Sequence, residues 1–202
     1  MLVAIEGMTN AGKSTTCGAV AALLRSDGVP CVELKDLVVR DPISTRLKSI
    51  TNPAGFADEL DANTELMLYA GHLSRKAHLL SRVSADAPDA IVIADRWSLS
   101  VSAFFVHVRG LPPEVVAGVT AFASRGIEPD VTVFLDVSLS TTLERSALSP
   151  FSRKDIGLES YWTALRAGYL DGLKESPGRT EVFSSDREDP RTLARRIVRV
   201  VL

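Results

Sequence analysis

The chain has 202 residues, 46% of them hydrophobic, with 23 Lys and Arg against 25 Asp and Glu. That length supports one well-buried α/β domain rather than two, and a formal charge of -2 excludes the general basicity that draws proteins to nucleic acid or anionic membrane. The two cysteines, Cys17 and Cys31, have neither disulfide-framework nor zinc-site spacing, and no apolar run is long enough to span a bilayer, so a soluble, cytoplasmic protein is expected.

Residues 2–6 open the chain as a short apolar run that reads as a buried strand. Gly7 to Ser14 follow at once and spell G-x-x-x-x-G-K-S, the sequence of a phosphate-binding loop in its required context. The glycines Gly7 and Gly12 let the N–H groups of Thr9, Asn10 and Ala11 turn inward around an oxyanion. Lys13 can reach β- and γ-phosphates, and the Ser14 hydroxyl can ligate Mg²⁺. A helix over 13–25, with Thr15 in its first turn and Cys17, Val20, Ala21 and Leu24 on its apolar face, aims its positive end at the same phosphates. A glycine-rich turn with an exposed lysine is the bland alternative, and the strand and helix on either side argue against it.

Further strands are predicted at 30–34, 90–94, 131–137 and 180–183, separated by helical periodicity, the βαβα pattern of a parallel sheet covered on both faces. In the stretch 56–83, Leu66, Tyr69, Ala70, Leu73, Ala77 and Leu80 recur at i, i+3, i+4 spacing and predict an amphipathic helix. Asp189 and Pro190 form an N-cap and N1 pair before a last helix striped by Leu193, Ile197 and Val200. Loop chemistry falls at Asn52-Pro53, at Gly110 to Pro113 and at 149–155, with no interdomain linker. A single domain over 1–202 is expected, its lid around 148–157.

Asp95 and Arg96 stand together at the carboxyl end of the 90–94 strand, which in an open α/β sheet is where ligands sit. Asp95 suits a Mg²⁺ ligand or a group that orients an attacking oxygen, and Arg96 suits a bidentate phosphate clamp. A helix-capping Asp beside a solvated Arg is the structural alternative. Arg145, Arg153 and Lys154 form a basic stretch whose cations suit the charge on a transferred phosphoryl group, or else a solvated charge run. No N-K-x-D guanine signature or D-x-x-G switch appears, against a GTPase. Tyr161, Trp162 and Tyr169 read as core, and His72, His78 and His107 as structural or solvated.

Taken in order, these motifs resemble the thymidylate kinase family of P-loop nucleoside monophosphate kinases. E-G-M-T-N-A-G-K-S-T is at the loop, and T-E-L-M-L-Y-A at 64–70 is similar to T-E-L-L-L-F-A-A-D-R. I-A-D-R-W at 93–97 is similar to I-S-D-R-Y, and E-P-D-V-T-V-F-L-D-V at 128–137 to P-D-L-T-L-Y-L-D-V. The resemblance implies a three-layer α/β fold with a five-stranded parallel sheet, ATP and Mg²⁺ as cofactors, a nucleoside monophosphate acceptor such as dTMP or a related pyrimidine nucleotide, and often a homodimer built from surface helices. It places Lys13, Ser14 and Arg145 at the donor, Ser14 and Asp95 at the metal, and Asp95 and Arg96 toward the acceptor phosphate. It also places Tyr69 against the acceptor base, with Lys35, Asp36, Leu73, Trp97 and Phe104 at the acceptor, and leaves the catalytic lid cation to Arg153 or Lys154.

Several acceptor positions depart from the family pattern. Thr9 stands where the loop usually carries Asp or Glu, Leu73 replaces the arginine of A-A-D-R, and Phe104-Phe105 replace a Tyr-Gln pair. The lid's D-R-F-E appears as Asp155-Ile156-Gly157-Leu158-Glu159. Losing buried hydrogen-bonding groups changes discrimination more than fold, so these departures predict that dTMP is a secondary substrate. A nucleoside or other small hydroxylated or phosphorylated metabolite is the alternative acceptor, and a nucleotide-binding module without turnover is the third reading.

Overall fold

A computed structural model describes residues 1–51, 60–146, 158–186 and 188–202. Five strands, β1 (Leu2–Gly7), β2 (Cys31–Glu33), β3 (Ile91–Asp95), β4 (Val131–Asp136) and β5 (Arg179–Ser184), form one sheet in the order β2-β3-β1-β4-β5, and every pairing is parallel. The five-stranded parallel sheet expected from the sequence is therefore present. Consecutive strand residues point to opposite faces, and every residue of β1 is buried, so helices cover both sides of the sheet centre. Val3, Ala4 and Ile5 lie at the middle of that core, the Val3 and Ile5 side chains each contributing roughly 1.5–3 kcal/mol on full burial.

The helices are α1 (Lys13–Ser26), α2 (Leu34–Arg40), α3 (Pro42–Thr51), α4 (Ala62–Asp86), α5 (Ser98–His107), α6 (Pro113–Ser124), α7 (Leu139–Ser146), α8 (Glu159–Glu175) and α9 (Pro190–Val201). Helix α1 packs beside α9, and α5 lies between α6 and α8. The apolar stripe predicted in 56–83 belongs to α4, which starts only at Ala62 because Asp61 caps it, accepting from the N–H groups of Asn63 and Thr64. Asp189 caps α9 as its sequence implied, accepting from Arg191 and Thr192. Strand β2 is shorter than the expected 30–34, because Leu34 already begins α2. The expected loop at 149–155, Arg153, Lys154 and the lid at 148–157 lie outside the described residues, as does Asn52-Pro53.

Parallel pairing brings three carboxyl ends together. The register sets Ile5 beside Asp95 on one side and Gly7 beside Leu135 on the other, so the loop leaving β1 emerges between the ends of β3 and β4. Ligand chemistry concentrates at that edge.

Candidate active site

The loop between β1 and α1 turns on two left-handed residues, Asn10 at φ 58° and Gly12 at φ 81°, the second being the N-cap of α1. Gly12 supplies no capping side chain, so the first amides of α1 retain donors for an anion. Gly7 is required by space. A Cβ there would stand 2.6 Å from the Leu135 carbonyl oxygen, in the backbone of β4.

Lys13 begins α1 and folds back over the loop, its Nζ donating to the Met8 carbonyl at 2.6 Å. The side chain is only 8% exposed. Burial, together with the nearby Arg96 charge, brings its pKa down to about 7 despite the opposing pull of Asp95 and Glu6. Ser14, one residue on, donates its hydroxyl to Asp95 Oδ2 at 2.5 Å. Burial works to raise the Asp95 pKa, but Lys13, the Ser14 hydrogen bond, Arg96 and Lys76 outweigh it and hold the carboxylate ionised. The sequence separated Ser14 and Asp95 by 81 residues, and the fold joins them. No group of three or more His, Cys, Asp or Glu suited to a metal occurs among the described residues. A hydroxyl beside one carboxylate, open to a triphosphate, suits Mg²⁺, which keeps several waters and relies on one or two carboxylates plus phosphate oxygens.

Arg96 is left-handed at φ 64°, which is uncommon for a residue with a Cβ. Its Nη1 donates to the Gly7 carbonyl at 2.9 Å, to Ser100 Oγ at 3.0 Å and to the Tyr169 hydroxyl at 2.5 Å. Nε and Nη2 take no partner among the described residues, so one edge of the guanidinium is fixed and the other stays available. Behind it lies Glu6, fully buried, which accepts from the Trp97 N–H at 2.7 Å and from the Ser100 hydroxyl. Burial raises the Glu6 pKa against the lowering effect of Arg96 and its hydrogen bonds. Tyr169 is core by burial, as expected, yet its hydroxyl belongs to the site, and desolvation lifts its pKa to about 12.

The remaining candidates divide by place. Arg145 of α7 bridges the loop to β5, donating to the Asn10 carbonyl at 3.0 Å and to the Ser185 carbonyl at 2.7 Å. Thr142, on the same helix, donates to the Thr9 carbonyl at 3.4 Å. Tyr69 stacks on Phe104 with centroids 6.1 Å apart and meets Phe105 edge-on at 5.4 Å, so these three aromatic residues form one cluster. Leu73 is 3% exposed and Trp97 2%, the Trp97 indole donating to the Ile127 carbonyl. These two are therefore core residues rather than residues of the site surface. Lys35 and Asp36 lie exposed on α2. Between α2 and α3, Asp41 caps Ser44 with its carboxylate and takes a two-point ion pair from Arg75 at 2.6 and 2.9 Å. Thr15 is exposed in the first turn of α1.

Sequence reading missed Glu6, Lys76, Ser100 and Tyr169. Two carried a visible signal, since Glu6 is an acid inside an apolar buried strand and Lys76 a cation between Leu73 and Ala77 in the apolar stripe of α4. Ser100 and Tyr169 carried none, because their roles depend on α5 and α8 meeting.

Comparison with known proteins decides the family, since the thymidylate kinase family model matches residues 5–193. The chain belongs to the thymidylate kinase family. Among curated relatives, the thymidylate kinase of Trichlorobacter lovleyi is 34% identical over 191 residues, covering 89% of this chain and 86% of that protein. Those of Fervidobacterium nodosum, 30% identical over 178 residues, and Shouchella clausii, 29% identical over 196, cover 87% and 93% of this chain and 86% and 88% of their own lengths. The protein is thus a kinase of the thymidylate kinase type. The loop, Asp95 and Arg96 all fall inside the matched region. No helix among the described residues is long and apolar enough to cross a membrane.

Proposed function

We propose that this chain transfers the terminal phosphoryl group of ATP to dTMP, in the cytoplasm, as a single kinase unit. The observation that carries the reading is the convergence at one sheet edge of an uncapped loop-helix start, the Ser14–Asp95 pair and the half-tethered Arg96. ATP would supply the phosphoryl group, and Mg²⁺ positive charge that offsets the phosphates. The loop amides and the α1 terminus cradle the phosphates. Lys13 exchanges the Met8 carbonyl for phosphate oxygens and clamps them electrostatically. Ser14 and Asp95 would hold the metal. Arg96 offers Nε and Nη2 as a planar fork to the acceptor phosphate, while Nη1 keeps it in register through Tyr169, Ser100 and Gly7. Tyr69 and Phe104 form the wall against which the acceptor base stacks. Rate enhancement comes from positioning and charge stabilisation. Arg153 serves as the lid cation within 148–157, and Arg153→Ala lowers kcat while ATP binding persists. A homodimer through surface helices belongs to the same proposal, with sedimentation velocity as its test.

Coupled ADP-release assays across dTMP, other nucleoside monophosphates, nucleosides and small alcohols test the function. A kcat/KM for dTMP in the ordinary range of roughly 10⁴–10⁸ M⁻¹s⁻¹ supports it. A much lower value, with another acceptor preferred, favours the second reading, a P-loop kinase acting on a nucleoside or other small hydroxylated or phosphorylated metabolite. Thr9 is the specific observation behind that reading, since it stands in the loop where the family pattern carries an acid and cannot offer a carboxylate to a sugar hydroxyl. Thr9→Asp then raises dTMP use relative to the preferred acceptor.

A further inference from the structure

Lys76 is a cation that neither the phosphate loop nor the donor chemistry uses. It lies on α4, inside the apolar stripe, and its Nζ donates to two successive carbonyls, those of Asp95 and Arg96, each at 3.0 Å. Both oxygens therefore turn toward one ammonium. The peptide between them leads into Arg96, whose left-handed φ of 64° gives the turn its shape. From the opposite side the same turn is held by its N–H groups: Arg96 donates to the Ile5 carbonyl at 3.1 Å and Trp97 to Glu6 at 2.7 Å. Strand β1 grips the donors of this turn, and α4 grips its acceptors.

We propose that Lys76 is a positioning residue for phosphoryl transfer, its ammonium clamping the Asp95 and Arg96 carbonyls so that Arg96 keeps the left-handed conformation from which its guanidinium meets the acceptor phosphate. This rests on the reading of Arg96 as the acceptor-phosphate ligand. Two converging carbonyls repel each other and need a donor, and an arginine at positive φ relaxes to the right-handed or extended regions unless its neighbours prevent it. A side chain without a hydrogen-bond donor at this position releases one side of the turn. The Arg96 fork then samples other directions, which weakens capture of the acceptor and leaves the donor loop intact.

The test is a double-mutant cycle between Lys76→Met and Arg96→Lys, read as KM for dTMP, KM for ATP and kcat, with circular dichroism on each sample. Lys76→Met is expected to raise the acceptor KM by about tenfold with ATP KM within about twofold of native, and to add less than about twofold on top of Arg96→Lys. Lys76→Gln keeps one amide donor for the carbonyls and is expected to fall between native and Lys76→Met; it also carries the cycle if Lys76→Met does not fold. Additive losses in the two backgrounds, or equal losses for dTMP and ATP, overturn the positioning role while the reading of the site stands. A native protein that turns over no nucleoside monophosphate overturns that reading and this role with it.

Discussion

At the residue scale, Lys13 is a lysine whose proton is loosely held until a phosphate arrives. Its pKa of about 7 in the free protein reflects burial beside Arg96. A triphosphate brings negative charge to the ammonium, so the pKa rises on binding and the complex takes up protons. The uptake grows as pH climbs past about 7, where free Lys13 has lost its proton and bound Lys13 has not. Calorimetry of ATP-analogue binding in buffers of different ionisation enthalpy measures it directly, and Lys13→Ala should abolish it; net proton release above neutrality contradicts the assignment. The same variant should lose roughly 10²-fold or more in kcat with unchanged circular dichroism, as expected when a donor aimed at transition-state charge is removed. Arg96→Lys keeps the charge but loses the fork and the Nη1 ties to Ser100 and Tyr169. Acceptor affinity and rate should fall while ATP affinity holds, and an equal loss for ATP would move Arg96 to the donor side.

At the element scale, the loop is only as well placed as the strands beside it. Gly7→Ala brings a Cβ to 2.6 Å from the Leu135 oxygen and 3.2 Å from Leu135 Cβ, and neither the β1 nor the β4 backbone can yield locally without disturbing their pairing. Overpacking of this kind costs about 1–3 kcal/mol. Denaturant melts should show that loss together with weaker ATP binding, because β1 ends in the loop. Asp189→Ala supplies the contrast. It removes the side-chain cap of α9, which accepts from Arg191 and Thr192, and should cost about 1 kcal/mol of stability. Its kinetic constants should stay native, because among the described residues the Asp189 carboxylate bonds Arg191 and Thr192 of α9 and no residue of the site.

At the scale of the whole molecule, the formal charge of -2 provides no overall attraction for a polyanionic nucleotide. In the proposed mechanism, binding would rely on Lys13, Arg96 and the loop dipoles, which are buried or partly buried and therefore weakly screened. The association rate for ATP should accordingly change by less than about tenfold between roughly 0.05 and 0.3 M salt, measured by stopped flow. A steep salt dependence would instead require a long-range basic field. Surface apolar residues are few on most elements, but α6 presents Val115 and the 87% exposed Phe122 to solvent.

The sequence by itself determined the sheet's strands, the phosphate loop and its helix, the caps at Asp189 and the family, because each is a local pattern: an alternation of apolar runs, a glycine spacing, an acid before a proline. It also placed Asp95 and Arg96 at a ligand-facing strand end, since strand ends are legible from where the apolar run stops. The tertiary structure decided what those residues touch. Ser14 meets Asp95 across 81 positions, Arg96 meets Tyr169 across 73 and Glu6 meets Ser100 across 94, and no local pattern encodes such distances. It also sent Leu73 and Trp97 into the core, where family position alone suggested the acceptor, and it turned Lys76 from an irregularity in a helix stripe into the partner of two carbonyls. Periodicity reports which face of a helix is buried. Only the packed neighbours determine whether a polar group on that face is a defect or a contact, because a buried charge persists where specific carbonyls and carboxylates compensate it.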